Sequence, residues 1–252
     1  MSLNVLFFDT LKISLIIVTM ICDSVAYTQP VEGTAGQDAR AKYNAHKSPL
    51  NFLHKLQLTT YIPPVYKKLM HLLCLSEIYL LLARHFPQLT VPTLTSILVP
   101  FPVRGSPATI DLTWTFLSGY LLLTSGAMLR YKCYQALGKH FTFELALVDG
   151  HKLCTLGPYS YVRHPSYVGI LMCTLGDTLC HFGGGSWWAE CLISRTTWGF
   201  LLSAFCAFAI ISISMLIFVR VPKEDAVLKR EFRDEWMAWS RRVPYALIPY
   251  VF

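Results

Sequence analysis

The chain has 252 residues, 54% of them hydrophobic and only 15% charged, with a mean hydropathy of +0.43 and a formal net charge of +7. A soluble domain carries about 25% charge, so the composition excludes a water-soluble fold and implies an all-α integral membrane protein. The Lys and Arg residues are not gathered into a soluble basic domain, which argues against nucleic-acid binding and for charges that set membrane orientation.

Leu3 to Cys22 is apolar apart from Asp9 and Lys12. No Lys or Arg precedes Lys12, whereas a cleaved signal peptide opens on positive charge, so this stretch is expected to be a retained first span. Tyr27 to Pro64 is polar and basic, with Gly33, Gly36, Pro49, Pro63 and Pro64, and reads as a loop with a short helix around Phe52 to Leu58. Val65 to Phe86 is long enough for the roughly 20 residues a bilayer needs and carries Glu77 near its centre. Glu77 could snorkel to the interface or pair with Lys68 or Arg84; Asp177, further on, is a second acid inside a span. Pro87, Pro92, Pro100, Pro102 and Pro107 prevent a continuous helix across Leu89 to Pro107, which reads as a connection dipping into the interface.

Ile110 to Arg130 is the third expected span, with Gly119 and Gly126 suited to close helix contact. Tyr131 to Arg163 is a polar loop with turn signals at Leu137-Gly138 and Asp149-Gly150. Pro165 to Phe182 is the fourth span. Gly183 to Gly185 is a turn; it lacks the Lys-Ser/Thr and strand-to-helix setting of a phosphate loop. Trp198 to Val219 is the fifth span. Pro222 then opens a new helix, in which Leu228, Phe232, Trp236 and Trp239 recur on one face. Lys229, Arg230, Arg233, Asp234 and Arg241 lie on the other, the pattern of an amphipathic interfacial helix ending at Val243-Pro244. No internal repeat is present. The expected architecture is about five transmembrane helices plus this C-terminal helix, with residues 1–109 as N-terminal spans and loops and 110–252 as a core with its tail.

The cysteines, at 22, 74, 133, 154, 173, 180, 191 and 206, form no CxxC pair. The spacing supports neither a zinc site nor a disulfide framework, and packing thiols are expected. Cys154 is of interest only for its closeness to the motif below.

The positive charges give an orientation. Arg40, Lys42, Lys47, Lys55, Lys67 and Lys68 of the first loop would share a side with Arg130, Lys132, Lys139, Lys152, Arg163 and the basic tail, and only Arg84, Arg104 and Arg195 would lie opposite. Five spans with an exoplasmic N-terminus put every basic loop in the cytosol.

The stretch Leu156 to Gly169, LGPYSYVRHPSYVG, concentrates donors and rigid backbone at the mouth of an apolar segment. As a bland alternative, Tyr and Arg simply anchor a membrane edge. The orientation brings Arg163, His164, Tyr159 and Tyr167 to the same face as Arg220, Glu224, Asp225 and Arg242. Two arginines there could fork a carboxylate or phosphate, and a nearby carboxylate could hold an ammonium or sulfonium. A structural salt bridge, Arg163 to Glu224 for example, explains the same residues.

Gly157-Pro158-Tyr159, Arg163-His164-Pro165, Tyr167 and Gly169 resemble the GPY..vRHP.Y.G signature of the isoprenylcysteine carboxyl methyltransferase family and its phospholipid-methyltransferase relatives. Arg220, Glu224-Asp225, Leu228, Phe232, Trp236 and Arg242-Val243-Pro244 resemble that family's ending, and Arg130 to Phe141 its R..A...LG..F segment. Asp225 departs from the family's second Glu, which shortens its reach. The likeness covers about half the chain, from Ile110 onward.

The resemblance implies methyl transfer from S-adenosylmethionine to the C-terminal α-carboxylate of a prenylated cysteine on lipidated proteins, in the endoplasmic reticulum membrane with the site facing the cytosol. Membrane lipid is then a further partner, and neither nucleic acid nor metal is expected. A prenylcysteine carboxyl, with a reference pKa of about 3.5, is already ionised and needs no general base. The requirement is orientation in a water-poor site, with the reacting atoms about 3 Å apart. Arg163 and Arg220 are the implied catalytic residues, aiming the carboxylate. Leu156, Gly157, Pro158, Tyr159, His164, Tyr167, Glu224 and Asp225 are the implied cofactor residues, Glu224 near the ammonium. No glycine-rich strand-turn-helix of a soluble methyltransferase is present, so a helical pocket is expected. A phospholipid N-methyltransferase, a sterol-reductase-like protein and a non-catalytic scaffold are the competing readings; the acidic pair and Arg242-Val243-Pro244 favour carboxyl methyl transfer over all three.

Overall fold

The computed structural model describes residues 3–28, 58–101, 107–138, 153–191, 193 and 196–250. Among these the secondary structure is helical, without strands. The main helices are α1 (Leu3–Tyr27), α2 (Leu58–His85), α3 (Pro92–Leu98), α4 (Trp114–Leu137), α5 (Pro165–Phe182), α6 (Trp187–Glu190) and α7 (Thr197–Arg242). Short 3-10 turns lie at Pro87–Leu89, Pro107–Thr109 and Gly157–Ser160. α1 and α7 are long and apolar enough to cross a membrane, and only 22% and 17% of their most apolar windows are buried within the protein. Apolar surface exposed on that scale suits a membrane setting.

Several boundaries follow the local chemistry. Pro165 supplies a preset φ at the first position of α5, and Gly183 follows its last residue, so this helix has the expected limits. Among the described residues, the proline-rich connection forms one helix of seven residues, α3, between 3-10 turns, because each ring removes a donor. Other limits differ from expectation. α2 begins at Leu58 and contains Pro63 and Pro64, which the composition had assigned to the loop. They lie just past the four free N–H groups of the first turn, so each ring removes one hydrogen bond, but close to the helix start. The expected short helix from Phe52 falls outside the described residues except at Leu58. α4 runs on to Leu137, fixed beyond the apolar stretch by Tyr134, whose hydroxyl donates to Val25 O at 3.0 Å.

The largest correction concerns α7. The helix does not restart at Pro222 but passes through it. A mid-helix proline costs about 3 kcal/mol; the packing of Ile213, Ile217 and Val221 with Ala246 and Leu247 helps to hold the helix across it. The bend comes instead at Arg233, with φ 40 and ψ −106. Leu228 and Phe232 therefore precede a break and Trp236 and Trp239 follow it, so the four do not form one continuous helical face.

The chain divides into two compact units, each drawn from three stretches. The first comprises residues 1–24, 66–125 and 172–210. Within it α4 and α5 meet through Gly119 and Gly176: a methyl on either glycine would lie 2.7 Å from the other's carbonyl oxygen. Buried charges cross-link the same unit. Lys12 Nζ lies 2.7 Å from Glu77 Oε1 and donates to Gly185 O at 2.8 Å. Glu77 Oε2 accepts from Trp187 N at 2.9 Å, and Trp187 Nε1 donates to Leu98 O at 2.8 Å. Glu77 thus neither snorkels nor takes Lys68 or Arg84. Arg84 Nη1 instead donates to both carboxylate oxygens of Asp9, at 3.1 and 2.9 Å, and Asp9 also meets His85 Nε2 at 2.7 Å.

The second unit comprises residues 25–65, 126–171 and 211–252. Here α4 and α5 approach through Gly169, where a methyl would lie 2.7 Å from Arg130 Cγ and 2.9 Å from Gly126 O. The close contacts expected of Gly119 and Gly126 are both present. All eight cysteines are free.

Candidate active site

The chemistry-bearing motif lies wholly within the second unit. Gly157 has φ +60, a left-handed conformation that glycine adopts without Cβ strain, and it opens the 3-10 turn Gly157–Ser160. The turn drives Tyr159 into an apolar cluster with Cys133, Trp239 and Val243, where Trp239 Nε1 donates to Tyr159 O at 3.1 Å. Burial pushes the Tyr159 phenol well above its ordinary pKa, so it remains neutral. Leu156 and Gly157 are exposed, and Pro158 is half-buried. Cys154 is tied to the end of α4, its thiol donating to Ala136 O at 3.7 Å.

The Arg163-His164 dipeptide is held by the segment that follows α7. Arg163 N donates to Tyr245 O at 3.0 Å and His164 N to Ala246 O at 2.9 Å. Ala246 and Leu247 are buried in the cluster that also packs Tyr167 and Val168, and this anchors the segment. Ser166 receives Arg130, whose Nη1 donates to Ser166 Oγ at 3.0 Å and Ser166 O at 3.1 Å. Gly169 is required because Arg130 and the α4 backbone occupy the space of a side chain.

The motif and the acidic pair meet across 57 to 62 residues of sequence. Arg163 Nε donates to Asp225 Oδ2 at 3.1 Å, and its Nη2 lies 3.0 Å from the same oxygen. Nη1 donates to Val243 O at 3.1 Å and also to Pro244 O. His164 Nε2 meets Asp225 Oδ1 at 2.9 Å. Tyr167 donates its hydroxyl to Glu224 Oε2 at 2.7 Å, and His164 Nδ1 stands 3.6 Å from that oxygen. The His164 and Tyr167 rings stack at 5.7 Å, and the Arg220 guanidinium lies over the Tyr167 ring at 5.8 Å. Helical spacing accounts for part of this: Arg220 and Glu224 are one turn apart on α7.

The two carboxylates differ. Asp225 is 15% exposed and grips Arg163 and His164; Glu224 is 31% exposed and bonds Tyr167. The apolar stretch of α7 ends at Val219, and Asp225 lies beyond it. Burial raises Asp225, but the hydrogen bonds and charges of His164 and Arg163 outweigh it and hold the carboxyl below its ordinary value. The salt bridge foreseen between Arg163 and Glu224 is made with Asp225. Arg163, His164, Tyr167, Arg220, Glu224 and Asp225 are thus brought together. Leu156, Gly157 and Pro158 stand at the turn before them, and Tyr159 faces the apolar cluster. The carbonyls of Val243 to Ala246 and the Arg130–Ser166 contact had no role in the sequence reading. Arg242-Val243-Pro244 was visible only as a pattern, and backbone acceptors carry no side-chain signal.

Residues 119–194 match the family model of the isoprenylcysteine carboxyl methyltransferase (ICMT) family. The chain is 28% identical over 145 residues to the protein-S-isoprenylcysteine O-methyltransferase of Homo sapiens, covering 56% of this chain and 44% of that protein. It is 28% identical over 142 residues to protein-S-isoprenylcysteine O-methyltransferase B of Arabidopsis thaliana, covering 55% and 61%. It is 30% identical over 128 residues to the enzyme of that name from Schizosaccharomyces pombe, covering 50% and 45%. The matched parts span about half the length of these curated relatives. The matched segment contains the Arg163-to-Gly169 motif and the Gly119 and Gly169 helix contacts, whereas Arg220, Glu224 and Asp225 follow it. Over residues 119–194 the chain is therefore similar to the isoprenylcysteine carboxyl methyltransferase family.

Proposed function

We propose that the protein transfers a methyl group from S-adenosylmethionine to the C-terminal α-carboxylate of a prenylated cysteine, and that residues 110–252 form the methyltransferase core. The observation that carries this reading is the meeting of the Arg163-to-Gly169 motif with Arg220, Glu224 and Asp225. The curated relatives named above carry that activity in their names.

S-adenosylmethionine, when bound, supplies an electrophilic methyl on a sulfonium. The residues fit such a group: Glu224, partly exposed and oriented by Tyr167, is an acceptor for an ammonium. His164 and Tyr167 line the same place, and the Leu156–Tyr159 turn and Asp225 complete its surroundings. Arg220, stacked over Tyr167 and one turn from Glu224, would orient the prenylcysteine carboxylate. Its planar fork suits that geometry. Because the carboxylate is ionised from about pH 5 upward, the chain need not remove a proton. Arg163, the second arginine implied for catalysis, is engaged with Asp225, Val243 and Pro244. Ile211, Met215 and Phe218 are exposed on α7 before Arg220 and offer an apolar approach for the prenyl chain.

The setting that suits this substrate is an endoplasmic reticulum membrane crossed by five helices, with the N-terminus exoplasmic and the site and C-terminus cytosolic. Glycosylation acceptors placed at the two ends test the topology; both ends on one side would rule it out. The activity is tested by methyl transfer with farnesylcysteine, phosphatidylethanolamine and a sterol as competing acceptors. Farnesylcysteine is expected to be the acceptor, with no rise in rate between pH 6 and 9. A steep rise following one deprotonation, with methyl on the amine, would return the phospholipid reading.

A further inference from the structure

We propose that Arg163 and Asp225 form a positioning latch, which ties the chain's own segment Val243–Ala246 to the turn bearing His164 and so sets the place of the cofactor-binding groups. Geometry motivates it. The Arg163 guanidinium faces Asp225 on one side and two carbonyls of the post-α7 segment on the other. The backbone N–H groups of Arg163 and His164 donate into the same segment, two residues further on. One arginine thus closes a ring that includes the start of α5, the middle of α7 and the stretch after α7.

The ring reaches the ligand groups in two ways. Asp225 Oδ1 fixes the His164 ring through Nε2, leaving Nδ1 on the side of Glu224. Glu224 is the neighbour of Asp225 on α7, and its carboxylate is bonded to Tyr167, three residues after His164. Displacing Asp225 therefore alters the spacing between Glu224 and the His164–Tyr167 stack.

The latch rests on the methyl-transfer reading only for its effect on S-adenosylmethionine. It has a separate readout in the protein alone. Amide hydrogen exchange of the full-length protein in detergent reports on the Arg163 and His164 N–H groups directly. In Arg163→Ala and Asp225→Ala these amides should exchange at least about tenfold faster, and the double variant should exchange no faster than the more affected single one. S-adenosylmethionine binding, measured by calorimetry, should weaken by about tenfold in each single variant, again without addition in the double, as for residues that act as one unit. The loss should fall on affinity more than on kcat. Arg163→Lys and Asp225→Asn serve where an alanine variant does not fold; lysine keeps the charge but cannot span both partners, so exchange should still quicken.

Unchanged exchange at Arg163 and His164 would overturn the latch whatever happens to activity. Faster exchange with unaltered S-adenosylmethionine affinity would overturn its role in positioning. A fall in kcat alone, with exchange and affinity intact, would put Arg163 on the reacting carboxylate instead. Absence of methyl transfer to farnesylcysteine by the unmodified protein would defeat the functional reading while leaving the exchange result standing.

Discussion

Each unit holds a cluster of charged side chains, and the two are built differently. In the first, Lys12 and Glu77 are 1% and 4% exposed, and Glu77 also receives a backbone donor from Trp187. In the second, Arg163 and Asp225 are 14% and 15% exposed and Glu224 31%. The first cluster is closed on its own partners and joins helices to the Gly183–Gly185 turn. The second contains groups that a small molecule could meet. Charge inside a span is a sign of function by default, and Glu77 was expected in such a span, but Lys12 and Glu77 have the geometry of a scaffold. Position in a span alone does not separate the two roles; exposure and partner chemistry do.

The largest expected effect therefore lies away from the candidate active site. Glu77→Gln leaves Lys12 as a buried charge without its carboxylate, and breaking one side of such a pair costs about 3–5 kcal/mol. Thermal unfolding in detergent should show that loss, with S-adenosylmethionine affinity per folded molecule kept. Replacing both residues with methionine should recover most of the stability, because a buried pair gains little over apolar packing. If Glu77→Gln folds normally and loses cofactor binding, the contrast between scaffold and site collapses.

Glu224→Gln is the reciprocal test. It should leave unfolding little changed and weaken S-adenosylmethionine by about 1.5–3 kcal/mol, the range for hydrogen bonds to charged groups. Equal affinity by calorimetry would remove Glu224 from the ligand.

Some of this was legible in the residues and some was not. The limits of α5 could be read because Pro165 and Gly183 act locally. The glycine contacts could be read because small residues at helical spacing let two helix backbones approach closely. Pro222 misled, because the local preference of proline for a helix start competed with packing around Ile217 and Val221 that appears only in three dimensions. The Lys12–Glu77 pair had no local signal: the partners lie far apart in sequence, one on α1 and the other on α2. Arg163, Glu224 and Asp225 were singled out by motif, and the fold brings them together, but the arginine's partners, Asp225 and the carbonyls after α7, were not foreseen. Sequence could name residues that meet and not their pairing.

The glycine contacts offer a comparison of intermediate size. Gly119→Ala in the first unit drives a methyl against Gly176 O, a backbone atom, so the helices must separate. Overpacking of this kind costs about 1–3 kcal/mol. Gly169→Ala in the second meets Arg130 Cγ first, a side-chain atom that can move, but Gly126 O lies close behind. Both should lower thermal stability. Only Gly169→Ala should also weaken cofactor binding, since it displaces Arg130 from Ser166 at the base of the motif. Equal loss of binding in the two variants would mean that general destabilisation, not local geometry, governs the site.

The smallest effect is the dependence of stability on Asp225 ionisation. His164 and Arg163 hold this carboxyl below its ordinary value despite burial. A depressed folded pKa means that the unfolded chain takes up the proton first as pH falls. The contribution of Asp225 is therefore complete above the unfolded value, about 3.9. It declines below that value and is lost as pH falls through the lower, folded one. Asp225→Asn removes the titration and should cost about 1.5 kcal/mol near neutrality, the low end for a charged hydrogen bond. Urea unfolding of the two proteins across the acid range should show their difference shrinking below about pH 4. A difference that stayed constant through that range would mean that the ionised carboxylate contributes nothing particular. The contacts of Asp225 would then matter for shape alone, and the contrast between a closed scaffold and an electrostatically held site would have to rest on Glu224.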